Sequence, residues 1–235
     1  AGKESASFAF PFNVPGADLR VDLPLACMRP ATDQLPASCA SWITPGRWMD
    51  VANADFGVAW VTLDAPLVLL TDPVEAMRRW RPQVPSANRQ SQFYSWIMNN
   101  RWGTNYRAYQ EGPVTFRYAV QPHGRANAAD LTRLATGLSQ PLLALAGKTN
   151  QFEPAVRLHH PDVIISSLKP ADHGRGIIVR LFGVGGRDAE VDLLLPQPGG
   201  LTLFYSDTSE APLKPVTGPV PVPGFGLVTL RADFK

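Results

Sequence analysis

The sequence predicts a mainly β protein with one helix, and three observations predict it. Of 235 residues, 23 are Pro and 19 are Gly, a Pro usage about twice the ordinary ~5%. Pro is kept out of helix interiors and central strands, so such a chain is built from short elements joined by turns. Short runs alternate apolar and polar residues at period two, as half-buried strands do. A single run, after Asn127, has helical spacing.

Taken in order, residues 7–14 place Phe8, Phe10 and Phe12 on one face of a strand. Residues 47–52 and 57–63 form a hairpin around Asn53, Ala54 and Asp55, residues at home in a turn. Residues 92–98 are aromatic and β-branched, which fits a pleated surface. Residues 113–121 alternate, with Val114, Phe116, Tyr118 and Val120 facing one way. Asn127 then caps a helix whose first turn carries Asp130. Leu131, Leu134 and Leu138 give that helix an apolar stripe, and Pro141 ends it. Beyond it, residues 163–168, 176–182, 189–195, 201–205 and 226–232 are short strands at the spacing of a sandwich. Gly185-Gly186, Gly199-Gly200 and the Pro-rich stretch 212–223 make the turns. This change of style places a boundary near residue 160, giving domains 1–160 and 161–235. A 75-residue sheet is marginal alone, so it is expected to pack on the larger domain. All six Trp fall between Trp42 and Trp102, which puts the aromatic mass in the first domain.

Composition removes several function classes. Hydrophobic residues make up 45% and charged residues 18%, with a net charge of +2. Low hydropathy with high charge, the mark of disorder, is missing. The longest apolar-rich run, near residues 64–70, is far short of the ~20 residues of a bilayer-spanning helix. A near-neutral chain lacks the basic stripe of a nucleic-acid protein. The expected partners therefore include neither nucleic acid nor membrane. Cys27 and Cys39 are too few for a disulfide scaffold; they form one bridge or stay free thiols. The chain opens Ala1-Gly2-Lys3-Glu4-Ser5 without Met and reads as a processed chain or a C-terminal piece.

Chemistry-bearing motifs are sparse. No nucleophile elbow, phosphate-binding loop or zinc-binding HExxH helix is present. Gly183-Val184-Gly185-Gly186 lies between strands and reads as a turn, since a dinucleotide site needs a helix after the loop. His159, His160, Asp162 and His173 have ligand chemistry, but adjacent strand residues point to opposite faces. No catalytic residue and no metal ligand is assigned. Asp50 and Asp55 flank a turn, an ordinary solvated setting. His123 and Glu111 are the pair an acid–base epimerase would use. The densest polar and aromatic group is Asn99, Asn100, Trp102, Asn105, Tyr106 and Arg107. Amides, guanidinium groups and flat rings suit the hydroxyls and C–H faces of a sugar, so these six are the candidate carbohydrate-binding residues. The alternative use of the same segment is a long hairpin whose Asn residues close turns and whose rings fill the core.

Residues 29–42 (RPATDQLPASCASW), 46–68 (GRWMDVANADFGVAWVTLDAPLV) and 95–123 (SWIMNNRWGTNYRAYQEGPVTFRYAVQPH) resemble the C-terminal region of bacterial glycoside hydrolase family 38, the α-mannosidases. Residues 163–172, 176–182 and 224–230 resemble the terminal β-domain of the same enzymes. The resemblance runs in order over nearly the whole chain. It implies a supersandwich of the galactose mutarotase type with one helix, followed by a smaller C-terminal β-sandwich. It also implies a parent enzyme that hydrolyses α-mannosidic bonds with retention, using zinc, an aspartate nucleophile and a second acid in an N-terminal catalytic domain. Those segments have no counterpart here, so no cofactor is expected in this chain and zinc is expected in the catalytic domain. The implied partners are that domain, on the same polypeptide, and a mannose-containing glycan. An independent carbohydrate-binding module is the alternative, with Trp48, Trp102 or Tyr106 displayed as a platform.

Overall fold

A computed structural model describes residues 4–30, 32–36, 38–71, 73, 91–100, 109–140, 142–144, 146–147, 156–195 and 200–234. The chain divides into two compact units, Ala1–Ala126 with Leu134–Pro141, and Asn127–Arg133 with Leu142–Lys235. The fold is mostly β, with one helix of more than a turn among the described residues.

The first unit contains β1 (Ser5–Pro11), β2 (Asp18–Leu23), β3 (Ala26–Met28), β4 (Trp42–Ile43), β5 (Trp48–Ala52), β6 (Gly57–Thr62), β7 (Val68–Leu69), β8 (Gln92–Asn99) and β9 (Tyr118–His123). They form a four-stranded sheet, β1-β8-β7-β4, and a five-stranded sheet, β3-β2-β5-β6-β9, with every pair antiparallel. Val68 and Phe93 of one sheet and Val21, Met49, Val51 and Trp60 of the other are buried in one cluster, so the sheets face each other across an apolar core. Phe10 and Phe12 join it, as the period-two reading requires. Phe10 stacks on Phe93 with centroids 5.6 Å apart and meets Trp60 edge-on at 5.3 Å. Phe8 touches Phe116 and Tyr118 but stays 47% exposed.

The hairpin is β5–β6, registered from Trp48↔Val61 to Ala52↔Gly57. Asn53 makes its turn: Oδ1 accepts the N–H groups of Asp55 and Phe56. The strand read at 113–121 begins instead at Tyr118. The Arg117 carbonyl still accepts the Leu63 N–H at 3.1 Å, but Asp64 takes the Arg117 N–H at 2.8 Å and its guanidinium at two points of 2.9 Å, so the pairing ends there, and Val114 is 55% exposed. Pro122 is tolerated in β9 because that strand is an edge. β2 (DLRVDL) alternates strictly, with Leu19, Val21 and Leu23 on the core side, although it is absent from the elements predicted above; β3, β4 and β7 are only two or three residues long, too short to show a period.

The helix α1 spans Ala128–Ser139. Asn127 Oδ1 accepts the Asp130 N–H at 2.9 Å, the expected cap. Its buried positions are Ala128, Ala129, Leu131, Thr132 and Ala135, whereas Leu138 is 44% exposed. The apolar stripe is therefore narrower than the leucine spacing predicts.

The second unit holds β10 (Ile164–Pro170), β11 (Gly176–Phe182), β12 (Ala189–Val191), β13 (Leu201–Ser206), β14 (Val220–Val222) and β15 (Leu227–Phe234). Sheet β10-β11-β15-β13 is paired in the core with the two-stranded β12-β14: Val163, Val179, Leu181, Val191, Val220, Val222 and Leu230 form one buried cluster. β14 lies within the stretch read as turn. Val220 and Val222 are buried and Pro221 between them is exposed, so even this short segment obeys the period of two. The Gly183–Gly186 segment is a turn after β11, and its glycines answer to packing. A Cβ on Gly183 would stand 2.2 Å from the Pro223 carbonyl oxygen, and one on Gly224 2.4 Å from the Gly186 carbonyl carbon.

Candidate functional site

Of the six candidate carbohydrate-binding residues, the structure describes two. Asn99 ends β8 and Asn100 follows it. The Asn100 N–H donates to the Glu4 carbonyl at 2.9 Å, and Asn100 Oδ1 accepts the Glu4 N–H, so this residue closes the end of the β1–β8 pair. Trp102, Asn105, Tyr106 and Arg107 lie outside the described residues. Trp48 is fully buried, so it is not a displayed platform; its strand alternates into a covered face.

The cluster that the sequence did not announce is Arg20, Asp50 and His123, on three strands of the five-stranded sheet. Met49 and Val51 point into the sandwich core, so Asp50 points to the other face. Arg20 on β2 stands opposite Asp50 in register. His123 ends β9 opposite Gly57. Asp50 is fully buried rather than solvated, which corrects the expectation for a turn-flanking acid. Its Oδ2 takes Arg20 Nη2 at 2.5 Å and its Oδ1 takes His123 Nε2 at 2.8 Å. Arg20 Nη2 also donates to the Ala126 carbonyl at 3.2 Å, and His123 Nδ1 lies 2.8 Å from the Gly124 carbonyl. The network sets the Arg20 guanidinium and the His123 ring against one buried carboxylate, so both of its oxygens are paired, the condition for burying it at tolerable cost.

This geometry fixes what the cluster does chemically. A general base needs a free lone pair aimed at a substrate. Both nitrogens of His123 are engaged, and both oxygens of Asp50 are covered. The arrangement holds charge and backbone in place. Glu111, its imagined partner, is exposed, and His123 is paired with Asp50.

Two more acids have defined settings. Asp22 is buried on β2; its Oδ2 accepts the Arg47 N–H at 2.9 Å, and its carbonyl accepts the Gly46 N–H at 2.7 Å. Burial raises its pKa to about 6, against the opposing pull of the Arg47 hydrogen bond. Glu210, at φ 61°, binds Lys169 at 2.5 Å and accepts the Asp172 N–H at 2.9 Å, which holds its carboxyl below the usual range. The histidines at 159, 160 and 173 do not converge. His160 Nδ1 accepts the Asp162 N–H, and the Asp162 carboxylate is clasped by Arg187 at 2.9 Å on both oxygens. Among the described residues no three His, Cys, Asp or Glu side chains are placed to hold a metal ion. Cys27 and Cys39 are free thiols, and burial pushes the Cys27 pKa up.

Comparison with known proteins gives fold-level likeness alone. No family model and no curated protein matches the chain. Among solved structures, an α-mannosidase from Enterococcus faecalis V583 is similar with a TM-score of 0.68 at 16% identity, over 98% of this chain and 26% of that one. A protein in glycosyl hydrolase family 38 from Enterococcus faecalis is similar with a TM-score of 0.67 at 14% identity, over 98% and 26%. The chain spans about a quarter of the length of these structures. At this identity the likeness is one of architecture: the chain has the mostly β sandwich fold that occupies that quarter of these glycoside hydrolase family 38 α-mannosidase structures.

Proposed function

We propose that this chain is the non-catalytic β-domain region of an α-mannosidase-type glycoside hydrolase. In this reading it buttresses a zinc-dependent catalytic domain on the same polypeptide and lends residues to the edge of its sugar cleft. The single observation that supports it is the coverage: nearly all of this chain matches a quarter of much longer hydrolase structures. The buried carboxylate Asp50 is paired with Arg20 and His123. Retaining hydrolysis needs two facing carboxyl groups about 5 Å apart with room for a sugar between them.

The test is an assay of the 235-residue chain with zinc and an aryl α-mannoside. Hydrolysis at the buffer rate is the expected result; robust turnover overturns the reading. Titration with mannose oligosaccharides separates it from the independent binding module. A stand-alone module binds them at millimolar or lower concentration, whereas a buttress leaves the chain's spectra unchanged.

A further inference from the structure

The two sheets of the first unit differ in what they turn outward. The outer face of the five-stranded sheet carries Arg20 paired with Asp50. The four-stranded sheet carries no charge: β1, β4, β7 and β8 contain no Asp, Glu, Lys or Arg. Ile43, Val68, Phe93 and Phe10 point into the sandwich core. The alternate residues Trp42, Leu69, Tyr94 and Ala9, which stand in one row across the sheet, therefore point out. Trp96 and Met98 follow Tyr94 on the same face of β8. Trp42 and Trp96 meet with ring centroids 6.2 Å apart. Leu69 is fully buried, Trp42, Tyr94 and Trp96 are half-buried, and Met98 is 41% exposed. The polar ends of the rings are satisfied within the sheet: Trp96 Nε1 donates to Ser5 Oγ at 2.6 Å, and the Tyr94 hydroxyl accepts Gln92 Nε2 at 2.6 Å.

A sheet face open to water is normally polar, and an edge strand such as β1 normally carries charge. Here β8 is apolar on both faces, with Phe93 inside and Tyr94, Trp96 and Met98 outside, the pattern of a strand covered on both sides. Trp, Tyr and Met are enriched where proteins meet, and charge is depleted there. Length argues for what meets this face. The similar structures match 98% of this chain with 26% of their own, so the fold there sits within a much longer polypeptide. Resting on the function proposed above, we infer that the outer face of the four-stranded sheet docks the catalytic domain of the same polypeptide, with Trp42, Tyr94, Trp96 and Met98 as its anchors. The partner surface is apolar and uncharged, because a charge set against this face finds no counter-charge.

Hydroxyl-radical footprinting read by mass spectrometry, normalised to a dosimeter peptide, tests it on the 235-residue chain and on the longer polypeptide encoded with it. Oxidation of Trp42, Trp96 and Met98 is expected to fall about fivefold in the longer polypeptide, as water is excluded from the centre of an interface. Trp96→Lys in the longer polypeptide is expected to return Met98 to its rate in the 235-residue chain. If that variant does not fold, Met98→Lys, at an exposed position, takes its place, with Trp42 and Trp96 as the readout. Equal oxidation of the three residues in both chains overturns the inference and leaves the proposed function standing. Protection that appears in the 235-residue chain alone as its concentration is raised makes the occupant a second copy, and also overturns it. The proposed function has its own measurement: a longer polypeptide that does not hydrolyse an aryl α-mannoside overturns that function, and with it the identity of the partner, whatever the footprint shows. A gene that encodes no longer polypeptide overturns both.

Discussion

Gly57 faces His123 across the β6–β9 pair so closely that a Cβ there would lie 2.6 Å from the imidazole Cε1 and 2.5 Å from the Ala52 Cβ. The glycine is required by packing, since its neighbours are the half-buried His123 ring and the Ala52 methyl group. Gly57→Ala is expected to destabilise the chain by about 1–3 kcal/mol, the usual cost of overfilling a tight site. Urea unfolding followed by Trp fluorescence measures it, because all six Trp belong to the first unit. An unchanged midpoint would show that the strands separate at no cost.

Asp50→Ala removes the acceptor shared by Arg20 and His123. The Arg20 guanidinium is then left without its buried counter-charge and the His123 ring without its partner at Nε2, a loss of about 3–5 kcal/mol. Arg20→Met combined with Asp50→Leu is expected to recover part of it, because an apolar replacement of both partners leaves fewer stranded charges. A double-mutant cycle on these positions, with no coupling between them, would refute the shared-acceptor account.

Asp22 carries a pH dependence of opposite sense to a salt-bridged carboxylate. Its pKa in the folded chain is raised to about 6 by burial, above the ordinary carboxylate value. The folded state therefore binds its proton more tightly than the unfolded chain between about pH 4 and 6. The favourable contribution is complete below about pH 4 and is lost as pH rises through about 6. Asp22→Asn keeps an oxygen for the Arg47 N–H and is expected to flatten this slope and raise stability at pH 7 by about 1–2 kcal/mol. Denaturation midpoints from pH 4 to about 7.5 are the measurement; an Asn variant with the parent slope would exclude Asp22 as its source.

Arg231 ties two loops of the second unit to β15. Its Nη1 donates to the Glu210 carbonyl, its Nη2 to the His173 carbonyl and its Nε to Asp233, each at 2.8 Å. Arg231→Met leaves two carbonyls without a donor and is expected to cost about 2–4 kcal/mol. The loss should appear in the far-ultraviolet circular dichroism transition, because the second unit has no Trp to report it. A parent-like transition would mean that water replaces the guanidinium freely.

The sequence by itself determined the elements whose signal is local. The β5–β6 hairpin follows from alternation and Asn53, the α1 cap from Asn127, and the main strands of the second unit from their short runs between turns. Local pattern also misled: residues 114–117 alternate, yet Asp64 takes the Arg117 N–H and the pairing ends there, and Leu138 completes a leucine spacing while facing water. Only the tertiary structure decided the polar cluster, because Arg20, Asp50 and His123 are 30 and 73 residues apart and meet through strand order. Asp50 reads as a turn-flanking surface acid until the second face of its sheet is seen to be covered. Periodicity tells which residues share a face; burial of that face, and the charges that must then be matched upon it, are set by what the rest of the chain packs there.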